Sequence, residues 1–375
     1  MNNELEILDK IKGLEIEKQI NQNYEQAIKI LLNSIYGCLG SNYFHFYNKN
    51  NAETITLQGQ DVIKYCEVKL NEYFKKQWHL DYELHKKMNI LNVNKVESDV
   101  WVYTDTDSGF ICFSEILKSC VHNYDEIEFI KVIIELKLKD YINEILNVFA
   151  QKYNCENYLD FELEYISKNA IWIAKKNYIQ NIVWKEDVYF KPLEKISVKG
   201  FEMVQSSTPS FCRKKLKDII KFIFSLKEFD LDIIVKEIKK IEKQFMLANI
   251  DDISESVKIN TLARVLNSDD KLVFDKGATW NVKAAGYYNY IINNSKFKDK
   301  YKLIVPGDKV KSYITENGLN DNFAYLPNEF PIEIAPKINK RKQFKATFLE
   351  PLNRIIEANG FNKLDSSLMY TKGLF

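Results

Sequence analysis

Val100-Trp101-Val102-Tyr103-Thr104-Asp105-Thr106-Asp107-Ser108-Gly109-Phe110-Ile111-Cys112-Phe113 is the stretch from which the rest of the chain can be read. Its apolar, β-prone flanks predict two short strands, Val100–Thr104 and Gly109–Phe113, closed by Asp105–Ser108. Asp and Ser are common turn residues, so Asp105-Thr106-Asp107-Ser108 alone reads equally well as a polar β-turn. Strands built on Trp101, Tyr103, Phe110 and Cys112 would, however, hold two carboxylates rigidly. Hard cations such as Mg²⁺ take one or two carboxylates together with substrate phosphates. Paired ions of this kind clamp the attacking and leaving oxygens of a phosphoryl transfer. Asp105 and Asp107 are therefore candidate metal ligands and catalytic residues.

Upstream, apolar residues at helical spacing predict a helix from Glu4 to about Tyr36, broken near Gly13 and ended by Gly37 and Gly40. Near its end stands Lys29-Ile30-Leu31-Leu32-Asn33-Ser34-Ile35-Tyr36-Gly37. Lys29 and Asn33 are four apart and share a face, with Tyr36 a further three-residue step along it. A cation, an amide and a flat ring suit a phosphate-binding helix; alone, the segment is also an ordinary surface lysine beside a glycine-closed end. A second helix is predicted from about Ala52 to Lys76, and helices again fill the region between the hairpin and about Lys152.

Downstream, Phe161 to Val198 is rich in Ile, Trp, Tyr and Val and predicts several strands. Within it, Lys175-Lys176-Asn177-Tyr178 would put Lys176 and Tyr178 on one strand face, suited to a nucleic-acid backbone or simply to solvent. Lys199-Gly200-Phe201-Glu202-Met203 and Ser206-Ser207-Thr208-Pro209 form either an ordinary strand–loop–helix joint or a set of phosphate contacts through Lys199, Ser206 and Thr208. Thr208 as N-cap and Pro209 at the first helical position start an amphipathic helical region expected to run to about Asn267. A domain boundary is expected near Met203–Pro209. The tail after Phe361 is short and polar and ends Lys372-Gly373-Leu374-Phe375.

Bulk properties narrow the function. The 375 residues allow two or three cores, and 53 basic against 52 acidic residues leave a net charge of +1, so any nucleic-acid binding must rest on local patches. Six cysteines form no C-x-x-C pair and have no histidine at ligand spacing, which favours free thiols over a zinc site or disulfides. The N-terminus lacks an apolar signal region, and no apolar run approaches membrane-spanning length. A soluble, cytoplasmic protein is expected.

In this order and at these separations, four segments resemble the C-terminal half of a family B DNA polymerase. K-x-x-x-N-S-x-Y-G is similar to the family's fingers helix, D-T-D-S to its palm hairpin, K-K-x-Y to its primer-contacting strand, and K-G-x-E-M with S-S-T-P to its thumb entry. Ser41-Asn42-Tyr43-Phe44-His45-Phe46-Tyr47 and Asn51-Ala52-Glu53-Thr54-Ile55-Thr56 look most like the large tailed-phage branch, which would place the protein in a host cytoplasm. The resemblance implies an α+β fold: residues 1–40 the C-terminal half of the fingers, 41–205 an antiparallel palm sheet packed with helices, and 206–375 a mainly helical thumb.

The same resemblance implies roles. Lys29 would bind the incoming triphosphate (dNTP), Asn33 support it, and Tyr36 sense the minor-groove side of the nascent pair. Asp107 would be the principal ligand of two Mg²⁺ ions, with Asp105 beside it. Lys175, Lys176 and Tyr178 would hold primer–template DNA, joined by Lys199, Ser206 and Thr208. Leu374 and Phe375 would form a sliding-clamp peptide within residues 361–375. Gly109 departs from the family's larger apolar residue and is expected to loosen the hairpin; Asn177 replaces a common arginine.

No D-x-x-S-L-Y-P-like segment, which in the family carries the other metal-binding aspartate, occurs in the sequence; nor does a first fingers helix or an exonuclease. The leading expectation is a split polymerase whose N-terminal polypeptide supplies them, with an apolar surface left here for assembly and Asn2–Gln22 as part of the contact. A non-catalytic DNA- or clamp-binding relic, a fragment of a longer polymerase, and an unrelated metal-dependent phosphotransferase are the alternatives.

Overall fold

The computed structural model describes residues 2–263, 265–268 and 271–365. It divides into two compact units, Met1–Glu162 and Leu163–Phe375, so the expected boundary at Met203–Pro209 lies inside the second.

The first unit opens with α1 (Asn2–Leu39), followed by α2 (Lys49–Glu72). Helix α1 runs unbroken through Gly13 and Gly37, because a helical glycine costs only about 1 kcal/mol relative to alanine, less than neighbouring turns supply. Asn48 caps α2, accepting from the Asn51 amide at 3.0 Å, which starts this helix three residues earlier than its apolar pattern suggests. A π turn (Tyr73–Gln77) and a 3₁₀ turn (Trp78–Leu80) lead into α3 (Tyr82–Met88). The hairpin β1 (Trp101–Asp105) and β2 (Ser108–Ile111) comes next, then α4 (Ser114–Lys118), α5 (Glu126–Ile133) and α6 (Lys139–Gln151). Buried Leu70, Phe74, Trp78, Phe113, Phe129 and Leu146 form the core. Its polar ends are tied off by Trp78 Nε1 donating to Ser119 Oγ at 2.9 Å and the Tyr73 hydroxyl donating to Asp81 at 2.9 Å.

Helix α1 is different. Ile7, Ile11, Leu14, Ile20, Ile28, Leu31, Leu32 and Ile35 are all exposed. So many large apolar side chains left exposed on one helix are uncommon on a folded protein.

In the second unit, β3 (Tyr165–Ala174), β4 (Asn177–Lys185), β5 (Val188–Tyr189) and β6 (Lys195–Lys199) make an antiparallel sheet in which β4 is flanked by β3 on one side and by β5 and β6 on the other. Ile171 and Ile179 of this sheet share a core with α7 (Ser210–Ser225), α8 (Leu231–Leu247) and α12 (Glu350–Ala358). Pro209 is the N-cap of α7, with φ −53° and ψ 143° and no side-chain cap, and Thr208 lies one residue outside. The helical region does not reach Asn267. It breaks after Ser225, restarts with Asp230 accepting from the Ile233 amide at 3.1 Å, and ends in the short α9 (Ile250–Ile253). The chain then enters β7 (Glu255–Lys258), which pairs with β10 (Lys309–Ile314) and through it with β11 (Asn322–Tyr325). A second hairpin, β8 (Val265–Ser268) and β9 (Lys271–Phe274), helix α10 (Trp280–Asn293) and helix α11 (Lys340–Phe344) complete the unit. Pairing with β10 overrides the helical pattern there, since tertiary context outweighs propensity.

Among the described residues no helix is long and apolar enough to cross a membrane.

Candidate active site

The hairpin tip is a tight turn. Asp105 and Ser108 are cross-strand partners, and the Asp107 amide donates back to the Asp105 carbonyl at 2.8 Å across Thr106. Thr106 has φ +61°, a left-handed conformation that β-branched residues rarely adopt and that costs of order 1–3 kcal/mol. Ser108 Oγ donates to the Asp105 carbonyl at 3.0 Å and Thr106 Oγ1 to the Asp105 carboxylate at 3.2 Å. The two acids end in different environments: Asp105 is buried, whereas Asp107 is exposed.

Asn71 of α2 moors the base of the hairpin. Its Oδ1 accepts the backbone amides of both Val100 and Trp101, at 2.9 and 3.0 Å. Between Trp101 and Tyr103 the register slips by one residue, a β-bulge at Val102. Trp101 Nε1 donates to Thr104 Oγ1 at 2.8 Å, and its ring covers Gly109, the cross-strand partner of Thr104. A Cβ at 109 would collide with indole carbons Cη2 and Cζ2 and lie 2.7 Å from Cζ3. The space left by the missing side chain of Gly109, where the sequence predicts looseness, is filled by an indole.

Lys29, Asn33 and Tyr36 lie on exposed turns of α1. The third cluster differs from its strand reading. Lys175 and Lys176 are the turn between β3 and β4, with Lys176 at φ +58°, so only Tyr178 of the expected pair lies in a strand. The turn is exposed, while Tyr178 is buried against Trp172, ring centroids 5.1 Å apart. Strand β6 brings Lys199 opposite Tyr178, its Nζ 5.7 Å from the ring centroid. Gly200, at φ +71°, allows this approach: a Cβ there would collide with the Lys176 carbonyl oxygen and sit 3.3 Å from Asn177 Cα. Two segments twenty-odd residues apart thus become one lysine-bearing surface. Ser206 is exposed and Thr208 buried, so only the former presents its hydroxyl to solvent. Leu374 and Phe375 lie outside the described residues.

Comparison with known proteins bears on these three clusters together. The model of DNA polymerase family B matches residues 7–357, a span that contains all of them. The chain belongs to DNA polymerase family B. The DNA-directed DNA polymerase of Enterobacteria phage T4 is 24% identical over 387 residues, covering 96% of this chain and 39% of that protein. That of Escherichia phage RB69 is 27% identical, covering 52% of this chain and 21% of its own length. The DNA polymerase alpha catalytic subunit of Arabidopsis thaliana is 30% identical, with 52% and 10% covered. This family B chain therefore spans less than half the length of these relatives.

The structure also gives a partner to a residue whose role the sequence left blank. Glu202 of the K-G-x-E-M segment pairs with Arg354 of α12, and the guanidinium carbon sits 5.4 Å from the Phe201 ring centroid. This family B motif thus carries a structural clasp beside its lysine. Asn71 went unnoticed in the sequence and Trp101 entered only as a strand former, since both act through tertiary placement.

Proposed function

We propose that this chain is the C-terminal subunit of a split DNA-directed DNA polymerase. Residues 1–40 serve as the C-terminal half of the fingers, 41–205 as part of the palm and 206–375 as the thumb. The observation that carries the reading is the exposed Asp107 carboxylate at the tip of a moored, tightly turned hairpin, inside a chain matched by the family from residue 7 to 357.

Asp107 and Asp105 offer hard oxygen donors suited to Mg²⁺, which takes few protein carboxylates and relies on substrate phosphates for the rest. Among the described residues there is no group of three or more His, Cys, Asp or Glu that could hold a metal. The donor set thus fits part of a cage, and an N-terminal polypeptide that also carries the exonuclease supplies the second aspartate. When bound, a pair of such ions neutralises phosphate charge and favours the attacking oxygen. Lys29 binds the triphosphate, Asn33 supports it and Tyr36 senses the nascent pair. The primer 3′-hydroxyl oxygen bonds to the α-phosphorus as the bond from that phosphorus to the bridging oxygen breaks, pyrophosphate leaves, and the hydroxyl proton passes to solvent. Lys175, Lys176, Lys199 and Ser206 hold the primer–template from the exposed surface, with Tyr178 and Thr208 buried behind them, and Leu374 and Phe375 engage a sliding clamp. The bare apolar surface of α1 supports a partner in the fingers.

Primer extension with Mg²⁺ tests this, using the chain alone, the N-terminal polypeptide alone, and both mixed. Extension in the mixture only, lost with Asp107→Asn, is the expected result. Efficient extension by the chain alone would overturn the split arrangement. Intact primer–template binding without extension in any tube would point instead to a non-catalytic DNA- and clamp-binding role.

A further inference from the structure

We propose that Trp101 is the positioning residue of the carboxylate hairpin, standing in from the opposite strand for the side chain that Gly109 lacks. The proposal rests on the reading of Asp105 and Asp107 as metal-holding residues. A glycine inside a strand removes packing and adds chain freedom, and it often marks where another group approaches closely. Gly109 stands two residues from Asp107, where such freedom would let the carboxylate wander.

The bulge at Val102 supplies the remedy. Bulges beside functional sites re-aim side chains, and this one brings Trp101 onto the face of Thr104 and Gly109. The residue is then held at three points: its backbone amide donates to Asn71, its indole N–H to Thr104, and its ring lies against Gly109. It is only 7% exposed. An aromatic ring over a strand glycine restores the packing that the glycine forfeits. Helix α2, Asn71, Trp101 and Thr104 thus form a continuous brace that ends one residue before Asp105. Because a Cβ at 109 and the indole claim the same volume, the two positions are coupled: either may be large, but not both.

The test uses the full chain and its Trp101→Ala, Trp101→Phe, Gly109→Leu and Trp101→Ala/Gly109→Leu variants, with Asp107→Asn as blank. Free Mn²⁺ is followed by electron paramagnetic resonance, and amide exchange of residues 103–110 is compared with that of α5 and α6 by mass spectrometry. Each of Trp101→Ala and Gly109→Leu should weaken Asp107-dependent Mn²⁺ binding about tenfold, in the range seen when groups behind a metal ligand are removed. Both should speed exchange in the hairpin while leaving α5 and α6 protected. Trp101→Phe should fall between, and the double variant should recover to within about threefold of wild type.

Singles that keep wild-type affinity and hairpin protection would overturn the proposal. So would a double variant whose losses merely add, or one that regains protection in the hairpin without regaining affinity. Absence of Asp107-dependent Mn²⁺ binding in the wild type, with the N-terminal polypeptide added as well as without it, would instead remove the metal reading. The exchange data would then decide alone whether Trp101 orders the hairpin.

Discussion

Asn71 carries more of the hairpin than its chemistry suggests. One amide oxygen accepts two successive backbone N–H groups, those of Val100 and Trp101. Replacing it by leucine would leave two donors at a largely buried strand start without partners, each costing about 1–3 kcal/mol. We expect Asn71→Leu to lower the unfolding free energy by about 2–4 kcal/mol in denaturant titrations, with the Val100 and Trp101 amides losing exchange protection. An unchanged midpoint would show that water or another group takes over. None of this was visible in the sequence, where Asn71 is a single polar residue at the end of an apolar helix stripe. The acids could be read because turn chemistry is local. Asn71 and Trp101 could not, because the partners of one lie about thirty positions away in the chain and the face of the other is set by a bulge.

Between elements, the decisive contact is that of β6 with the turn before β4. Gly200 at φ +71° lets two backbones meet where a Cβ would strike the Lys176 carbonyl. Gly200→Ala should therefore cost about 1–3 kcal/mol in conformational strain alone, with more from the collision. Melting temperature and primer–template affinity should fall together, because Lys176 and Lys199 would move apart. A variant that melts lower yet binds DNA normally would detach the lysine surface from the proposed DNA contact. At this scale most of the fold was legible. The hairpin, the strand-rich stretch and the amphipathic helices all follow from periodicity. Boundaries were less so: Lys175-Lys176 looked like strand because its neighbours are strand formers, and Ser254–Lys258 looked like helix until β10 provides a pairing partner. Helix α1 outlasted its glycines because a modest local cost does not break a long hydrogen-bonded ladder.

Across the second unit, the sheet's Ile171 and Ile179 share one core with α7, α8 and α12, and Glu255 of β7 lies near Cys212 of that core. Burial pushes the Glu255 carboxyl above its ordinary value of 4.5, and burial likewise lifts the neighbouring Cys212 thiol to about 12. Below pH 4.5 Glu255 is protonated in both folded and unfolded chains and costs nothing. As pH rises from there through the raised folded value, the unfolded chain gives up this proton first, so stability falls, then levels off. Glu255→Gln should thus melt higher than wild type at pH 7.5, the difference closing towards pH 4.5. Parallel melting curves across that range would refute the assignment.

The long first helix has a cellular consequence. At 38 residues α1 extends about 57 Å, and Ile28, Ile30, Leu31, Leu32 and Ile35 are each more than half exposed. With little tertiary packing over its apolar residues, α1 is where local opening is expected first. Opened segments are what proteases cut, and small shifts in the open fraction change abundance several-fold. Copies made in excess of whatever covers α1 are then the ones degraded first, and the supply of that cover sets how much of the protein persists.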